Sequence, residues 1–444
     1  MSSYKNKALL GAGLSAVAAV GVAGPAHAQA AIASLNYDTT GYDLYATRTG
    51  AFAQDRNVSV LSRPRPGYDP VPYRIGTFVV SPSLTAEMDY DSNLLASNKV
   101  KESSGVATLT PAFIARSDWS RNYFQLLGNA QIERHTSYTQ ENRTMWQIAP
   151  QGRVDVDQSF SFQAGGSAQR RVEPRTATTA PITDRPIKYD EDNAFLGVTK
   201  DFNRLRLVGF GTFQNLNYQN NTQNGAFSEQ NYRNRQTVAF NGQAEYSFSP
   251  GYELLLTAII DDRNSTHGTP TQPERDSKGV DVQAGTLFDI GGIASGTATI
   301  GYYSRNYSGS FYKDFSGLTF AAGIQYYATP LMTVRFNAVR SVEDSTVTNS
   351  SGYLSSAVNL NADYEYARNV VFTLGGGYDH NQFKGIDRRD NRFNVNALAR
   401  WILNRAIEVG AKYNYQNQTS KGVNEGRTFN DHRIGLYLTY RGTL

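Results

Sequence analysis

The stretch Tyr232–Asp262 reads YRNRQTVAFNGQAEYSFSPGYELLLTAIIDD. After its polar entry the even positions turn apolar: Val238, Phe240, Ala244, Tyr246 and Phe248. Between them stand Asn241, Gln243, Glu245 and Ser247. A period of two held this long exceeds the five or six residues of an ordinary soluble strand. Ser249-Pro250-Gly251 then reverses the chain, and Leu254, Leu256, Ala258 and Ile260 return on one face. Strands of about 9–11 tilted residues are long enough to cross a bilayer. The hairpin therefore reads as one of roughly nine around a closed transmembrane barrel.

The same reading extends over most of the chain. Trp146, Ile148, Val154 and Val156 oppose Gln147, Gln151, Arg153 and Asp155. Phe160, Phe162, Ala164 and Ala168 oppose Ser161, Gln163, Gln169 and Arg171. Alternation is blurred over Val106–Arg116, Asn193–Thr199 and Leu205–Tyr218. Tight reversals fall near Asp118, Gln158, Phe202, Pro250, Gly291, Pro330, Arg368 and Asn404. They alternate with longer polar links around Asn93–Glu102, Glu173–Arg185, Gln219–Glu229, Arg263–Arg275, Glu343–Gly352, Asn381–Asp390 and Gln416–Gly426. The fold expected is all-β: a transmembrane antiparallel up-and-down barrel of roughly 18 strands (16–18), with short periplasmic turns and longer extracellular loops. Aromatics near both sets of strand ends, among them Phe248, Tyr252, Tyr326 and Trp401 and then Trp146, Tyr189, Tyr218 and Tyr378, suit two interfacial girdles.

Composition agrees. The chain has 444 residues with no Cys, 39 Gly, 28 Tyr and 22 Phe, and a mean hydropathy of -0.47. Strands with one lipid face and one wet face give such values. Without Cys there is no disulfide framework and no thiol-ligated zinc. The net charge of +4 includes Lys5 and Lys7, and no basic run or helix face suggests nucleic acid.

Three regions are expected. Residues 1–28 read as a signal peptide: Lys5 and Lys7, an apolar core over Ala8–Val22, then Ala26-His27-Ala28, with cleavage after Ala28. Residues 29–73 are an irregular Pro-rich periplasmic segment, carrying Arg63-Pro64-Arg65-Pro66-Gly67. A solvated tail is its simplest reading, with a docking arm or a lumen plug as alternatives. Residues 74–444 form the barrel, placed in the cell outer membrane.

The final strand, Arg433-Ile434-Gly435-Leu436-Tyr437-Leu438-Thr439-Tyr440, resembles the C-terminal signal of bacterial outer-membrane barrels. The resemblance implies that Arg433, Gly435, Leu438 and Tyr440 are read by the barrel assembly machinery. The tail Arg441-Gly442-Thr443-Leu444 departs from the usual aromatic terminus. The opening strand carries Ile75-Gly76-x-Phe78, Pro82-Ser83-Leu84 and Tyr90-Asp91-Ser92-Asn93. It resembles a family of outer-membrane β-barrel porins whose members are linked to exopolysaccharide production or export.

Wet-face parity assigns the lumen lining. It comprises Arg153, Asp155, Arg171, Arg233, Arg235, Asn241, Gln243, Arg335, Asn337, Asn359, Asn361, Asp363, Arg392, Asn394, Asn396, Arg400 and Lys412. Amides and nearly balanced charges suit hydrophilic solutes without demanding one ion sign. Lateral ladders bracing the wall would use the same residues. No catalytic, metal or cofactor site is expected, since neither HExxH nor Gly-x-Ser-x-Gly occurs. Asp261-Asp262 and Arg389-Asp390 are the carboxylates an outer-membrane hydrolase would need. Asp89, Asp91 and Asn93 have the spacing of a calcium loop but lack its Gly and distal Glu. The function expected is a porin-like channel for a hydrophilic solute, with an outer-membrane docking barrel or adhesin as the alternative. Its partners are outer-membrane lipid, the assembly machinery and a solute or polysaccharide, not nucleic acid.

Overall fold

A computed structural model describes residues 58–444. The expected signal peptide, residues 1–28, and the segment up to residue 57 lie outside the described residues. Eighteen strands close into one antiparallel barrel. The first nine are β1 (Phe78–Asp91), β2 (Ser104–Ser117), β3 (Tyr123–His135), β4 (Arg143–Asp155), β5 (Phe160–Val172), β6 (Lys188–Asp201), β7 (Leu205–Tyr218), β8 (Arg235–Ser249) and β9 (Tyr252–Ser265). The rest are β10 (Ser277–Ile290), β11 (Ala294–Tyr307), β12 (Phe315–Thr329), β13 (Met332–Glu343), β14 (Gly352–Ala367), β15 (Val370–Lys384), β16 (Arg389–Ile402), β17 (Ile407–Lys421) and β18 (Phe429–Arg441). Each pairs with its neighbours in sequence, and β1 closes on β18 from Ser83↔Arg441 to Asp91↔Arg433. The closed ring leaves no free edge.

The eight tight turns fall where the sequence places them. Pro250-Gly251 makes one, with Gly251 at a φ of 79° that strains any side chain. Nine longer links stand at the other end. Two were not legible as loops: 136–142, with the 3₁₀ turn Thr139–Glu141, and 308–314. The opening hairpin also needs a correction. Asn231–Arg233 is a 3₁₀ turn and β8 begins only at Arg235, so Tyr232 and Arg233 belong to the loop.

One parity holds around the ring. Phe240, Ile260, Met88 and Leu436 point outward and are 58–75% exposed, which a hydrocarbon surround covers at about 1.5–3 kcal/mol each. Their neighbours Thr237, Gln243, Glu245 and Asp261 are buried inside. The blurred segments are regular strands in which Phe195 and Phe210 occupy the inner face, so the apolar signal appears on both parities. Tyr189 and Tyr218 leave the proposed girdle, since they stack inside at 4.8 Å between centroids. Closure predicts that unheated protein in detergent migrates faster on a gel than boiled protein. Equal mobility would count against a closed barrel.

Candidate functional site

The interior is built in three tiers. At the short-turn end it is ionic. Arg335 donates two hydrogen bonds to Asp363, at 2.9 and 3.2 Å. Glu408 sits between Arg400 at 3.3 Å and Arg441 at 3.2 Å, and accepts from the Tyr437 hydroxyl. Farther along the wall, towards the long-loop ends of β1 and β18, Lys412 bridges Glu87 and Asp89, and Arg433 adds a 2.7 Å contact to Asp89. A Cβ on Gly435 would collide with the Asp89 carboxylate, so this position of the last strand must be small.

Residues 58–72 meet this tier from below. Val60 is fully buried, and its N–H donates to Thr333 Oγ1 at 3.0 Å. Arg63 and Arg65 reach Glu365 at 3.3 and 3.5 Å. This part of the Pro-rich segment is therefore no solvated tail. Its anchors are residues nearly 300 positions away, which composition does not reveal.

At mid-depth the wall over β13–β17 carries two rows of amides. One runs Asn337, Asn359, Gly377, Asn394, Gln416 across paired positions, and the other, starting beside Arg335 of the ionic tier, runs Asn361, Gly375, Asn396, Asn414. A Cβ at Gly375 or Gly377 would strike the flanking asparagine side chains, so both glycines let the amides converge over their backbone. Half the ring away stand Phe195 and Phe210, with centroids 6.2 Å apart. Gly197 leaves room for the Phe210 ring, and Asn241 sits on the next strand beside it.

The long-loop end is crossed by the link 173–187. It leaves β5, yet its backbone is held near β15 and β16. Arg392 donates to the Thr176 carbonyl and Arg388 to that of Thr178, at 2.6 and 2.7 Å. Arg427 donates to the carbonyls of Arg175 and Pro181 at 2.6 and 3.2 Å. Burial and neighbouring Arg175 pull the Arg427 guanidinium down to about 10, which leaves it charged at neutral pH. Arg175 in turn grips Glu141, and Arg233 grips Glu173 in a two-bond contact at 2.8 and 2.9 Å. Arg233 thus anchors the crossing loop instead of lining a strand.

The other basic lining residues are mostly paired. Arg153 meets Asp155 at 2.7 Å, Arg171 meets Glu191 at 3.4 Å, and Arg235 contacts Asp344. Gln243 is buried and donates to Glu245. Asp261 and Asp262 point to opposite faces, the first to Arg263 and Arg305, the second to Lys278. Asp390 is held by Arg388 and Ser420. In the calcium-like spacing, Asp89 serves Arg433, and Asn93 donates to the Ser97 and Asn430 carbonyls. The loop crossing and the N-terminal contacts are what sequence reasoning missed.

A family model described as "Putative beta-barrel porin 2" matches residues 65–441. The chain belongs to this family. No curated protein matches the chain. Among solved structures, this porin-family chain is similar to OccK2 (OpdF) of Pseudomonas aeruginosa, at 12% identity and a TM-score of 0.45, covering 82% of this chain and 97% of that one. It is also similar to OccAB2 of Acinetobacter baumannii, at 14% identity and a TM-score of 0.44, covering 82% and 98%. A variant of the ferric enterobactin receptor PfeA from Pseudomonas aeruginosa gives 7% and 0.46, covering 82% and 80%. Membership of the family makes the barrel a porin-like one.

Proposed function

We propose that the barrel is a passive channel for uncharged hydrophilic solutes, saccharides foremost, and that it serves exopolysaccharide production or export. The observation that carries this reading is the mid-depth tier: two rows of amides opposite a pair of inward phenylalanines. Amides supply both donors and acceptors to hydroxyl groups, and an aromatic face suits the apolar face of a sugar ring. The charges above and below are largely consumed by each other, so they do not impose a strong sign preference. The wall and its bracing use the same residues, without conflict.

Planar-bilayer recordings of refolded full-length protein test this. Small open steps are expected, with a cation-to-anion permeability ratio near one. Liposomes should swell faster in neutral disaccharide than in a carboxylated sugar of equal size. Strong ion selectivity, or faster entry of the charged sugar, would overturn the reading. A closed docking barrel is the second reading, favoured by the two segments that enter the lumen from opposite ends. A silent membrane with correctly folded protein would establish it.

The remaining assignments complete the proposal. Residues 1–28 direct export and are removed after Ala28, the long loops face outward, and Arg433, Gly435, Leu438 and Tyr440 are read during assembly. N-terminal sequencing of the membrane-extracted protein checks the cleavage.

A further inference from the structure

The outer surface of β13–β17 departs from the rest of the barrel just below the long loops. Two rows of outward positions lie side by side there. The lower row is Arg340, Ser356, His380, Asn391, Thr419 across paired strands. One pleat above it come Gln382, Arg389 and Lys421, with Lys384 beyond. Adjacent strands are about 4.8 Å apart, so these side chains form one continuous patch.

Elsewhere on this rim, Arg170 meets Asp190 at 2.7 Å, Lys278 meets Asp262 at 3.7 Å, and Arg134 donates to Thr144 and to the backbone carbonyls of Glu133 and Arg143. Over β13–β17, no outward-facing position carries a carboxylate. Among the described residues, none makes an ion pair with Arg340, Lys384, Arg389 or Lys421. The Arg340 Nε is buried with no hydrogen-bond partner. Asn391 Oδ1 receives the Tyr378 hydroxyl at 2.9 Å and faces His380 Nδ1 at 2.7 Å. Its NH₂ group is thereby left to donate outward. Tyr378 and Phe393 border the patch on the side of the apolar belt, 48% and 46% exposed.

We infer that this patch binds the phosphorylated headgroup of an anionic glycolipid in the leaflet on the long-loop side. Four cations and outward donors at headgroup height match phosphate oxygens in charge and hydrogen bonding. The aromatics and the apolar belt beneath take the acyl chains. Guanidinium and ammonium groups facing acyl chains alone would be desolvated without compensation, whereas phosphate supplies it. This surface is on the outside of the wall and is independent of what passes through the lumen.

Native mass spectrometry of the full folded chain, titrated with lipid A in detergent, tests the inference. Retained lipid A is expected, with much weaker retention of the dephosphorylated lipid. The combined Arg340→Gln, Arg389→Gln and Lys421→Gln variant should lose affinity by about a hundredfold at low ionic strength, because each surface cation contributes roughly fivefold towards anionic lipid. Lys278→Gln, elsewhere on the same rim and paired with Asp262, should change nothing. Should the triple variant not fold, as judged by gel mobility, Lys421→Gln alone is read at its exposed strand end. Equal retention of phosphorylated and dephosphorylated lipid by the unmodified protein overturns the inference. So does a folded variant with undiminished affinity. Free inorganic phosphate that displaces lipid A at equal concentration would instead mean an ion site, and would also overturn it.

Discussion

Replacing Thr176–Pro181 with a Gly-Ser pair is expected to raise single-channel conductance several-fold in planar bilayers. The loop 173–187 starts at β5 and is fastened as far as seven strands round the closed ring, at β16, so it spans the lumen as a chord. Its fastenings are guanidinium-to-carbonyl hydrogen bonds from Arg388, Arg392 and Arg427. Such charge-assisted bonds are roughly twice as strong as neutral ones, and burial of Ala177, Thr178 and Thr179 excludes competing water. Arg388→Ala with Arg392→Ala keeps the loop but removes its far anchor. That variant should give noisy, intermediate steps, as the chord swings free. Unchanged conductance in a folded, shortened-loop barrel would mean that the narrowest point lies elsewhere, the segment around Val60 being the next place to cut.

The wall was legible in the sequence and its contents were not, for one physical reason. A strand declares itself locally, because alternate residues meet lipid and water. Phe240 and Asn241 can be assigned to opposite faces without knowing any partner. A loop that folds into a lumen has no such period. The Arg392 contacts with Thr176 and Thr178 join residues over 200 positions apart, and nothing near Thr178 records the partnership. A faint signal did exist: Arg175, Arg388 and Arg427 sit in links, where a guanidinium would ordinarily be solvated, and each is instead gripping backbone or a carboxylate. Arg233 was misplaced on a strand because the polar entry Tyr232–Asn234 happens to continue the parity of β8. Phe195 and Phe210 blurred their strands because they are apolar on the wet face, and that breach of pattern marks the one aromatic pair opposite the amide rows.

Pairing also decides how the charges should be read. A list of inward arginines taken alone suggests an anion path. Arg335 with Asp363, Arg400 with Glu408, and Lys412 with Glu87 and Asp89 are instead cross-strand ties. Breaking one partner would leave a buried charge uncompensated. Selectivity therefore has to come from the uncharged middle tier, and the amide rows are where substitutions should alter solute preference without loosening the wall.

The two faces of β8 give the sharpest test of the whole assignment. Phe240→Arg should cut assembly into the membrane severely, whereas Asn241→Arg should assemble normally. Phe240 is 65% exposed on the outer face, paired with Ile260 on one side and Gly211 on the other. A guanidinium there meets hydrocarbon at a cost of about 2–4 kcal/mol at the midplane, less towards an interface. Asn241 points inward beside Phe210 and Ile259, where the longer side chain can reach hydrated space and bring a positive charge to the middle tier. That charge has no partner supplied by the wall, so reversal potentials should shift towards anions relative to the unmodified channel. Assembly yield is measured by the fraction of membrane-extracted protein showing the fast gel form, and selectivity by reversal potential under a salt gradient. If Asn241→Arg fails to assemble while Phe240→Arg assembles, the inner and outer faces are exchanged, and the amide rows would then face lipid. If both assemble and neither moves the reversal potential, ions do not pass this tier, and the closed docking barrel becomes the function.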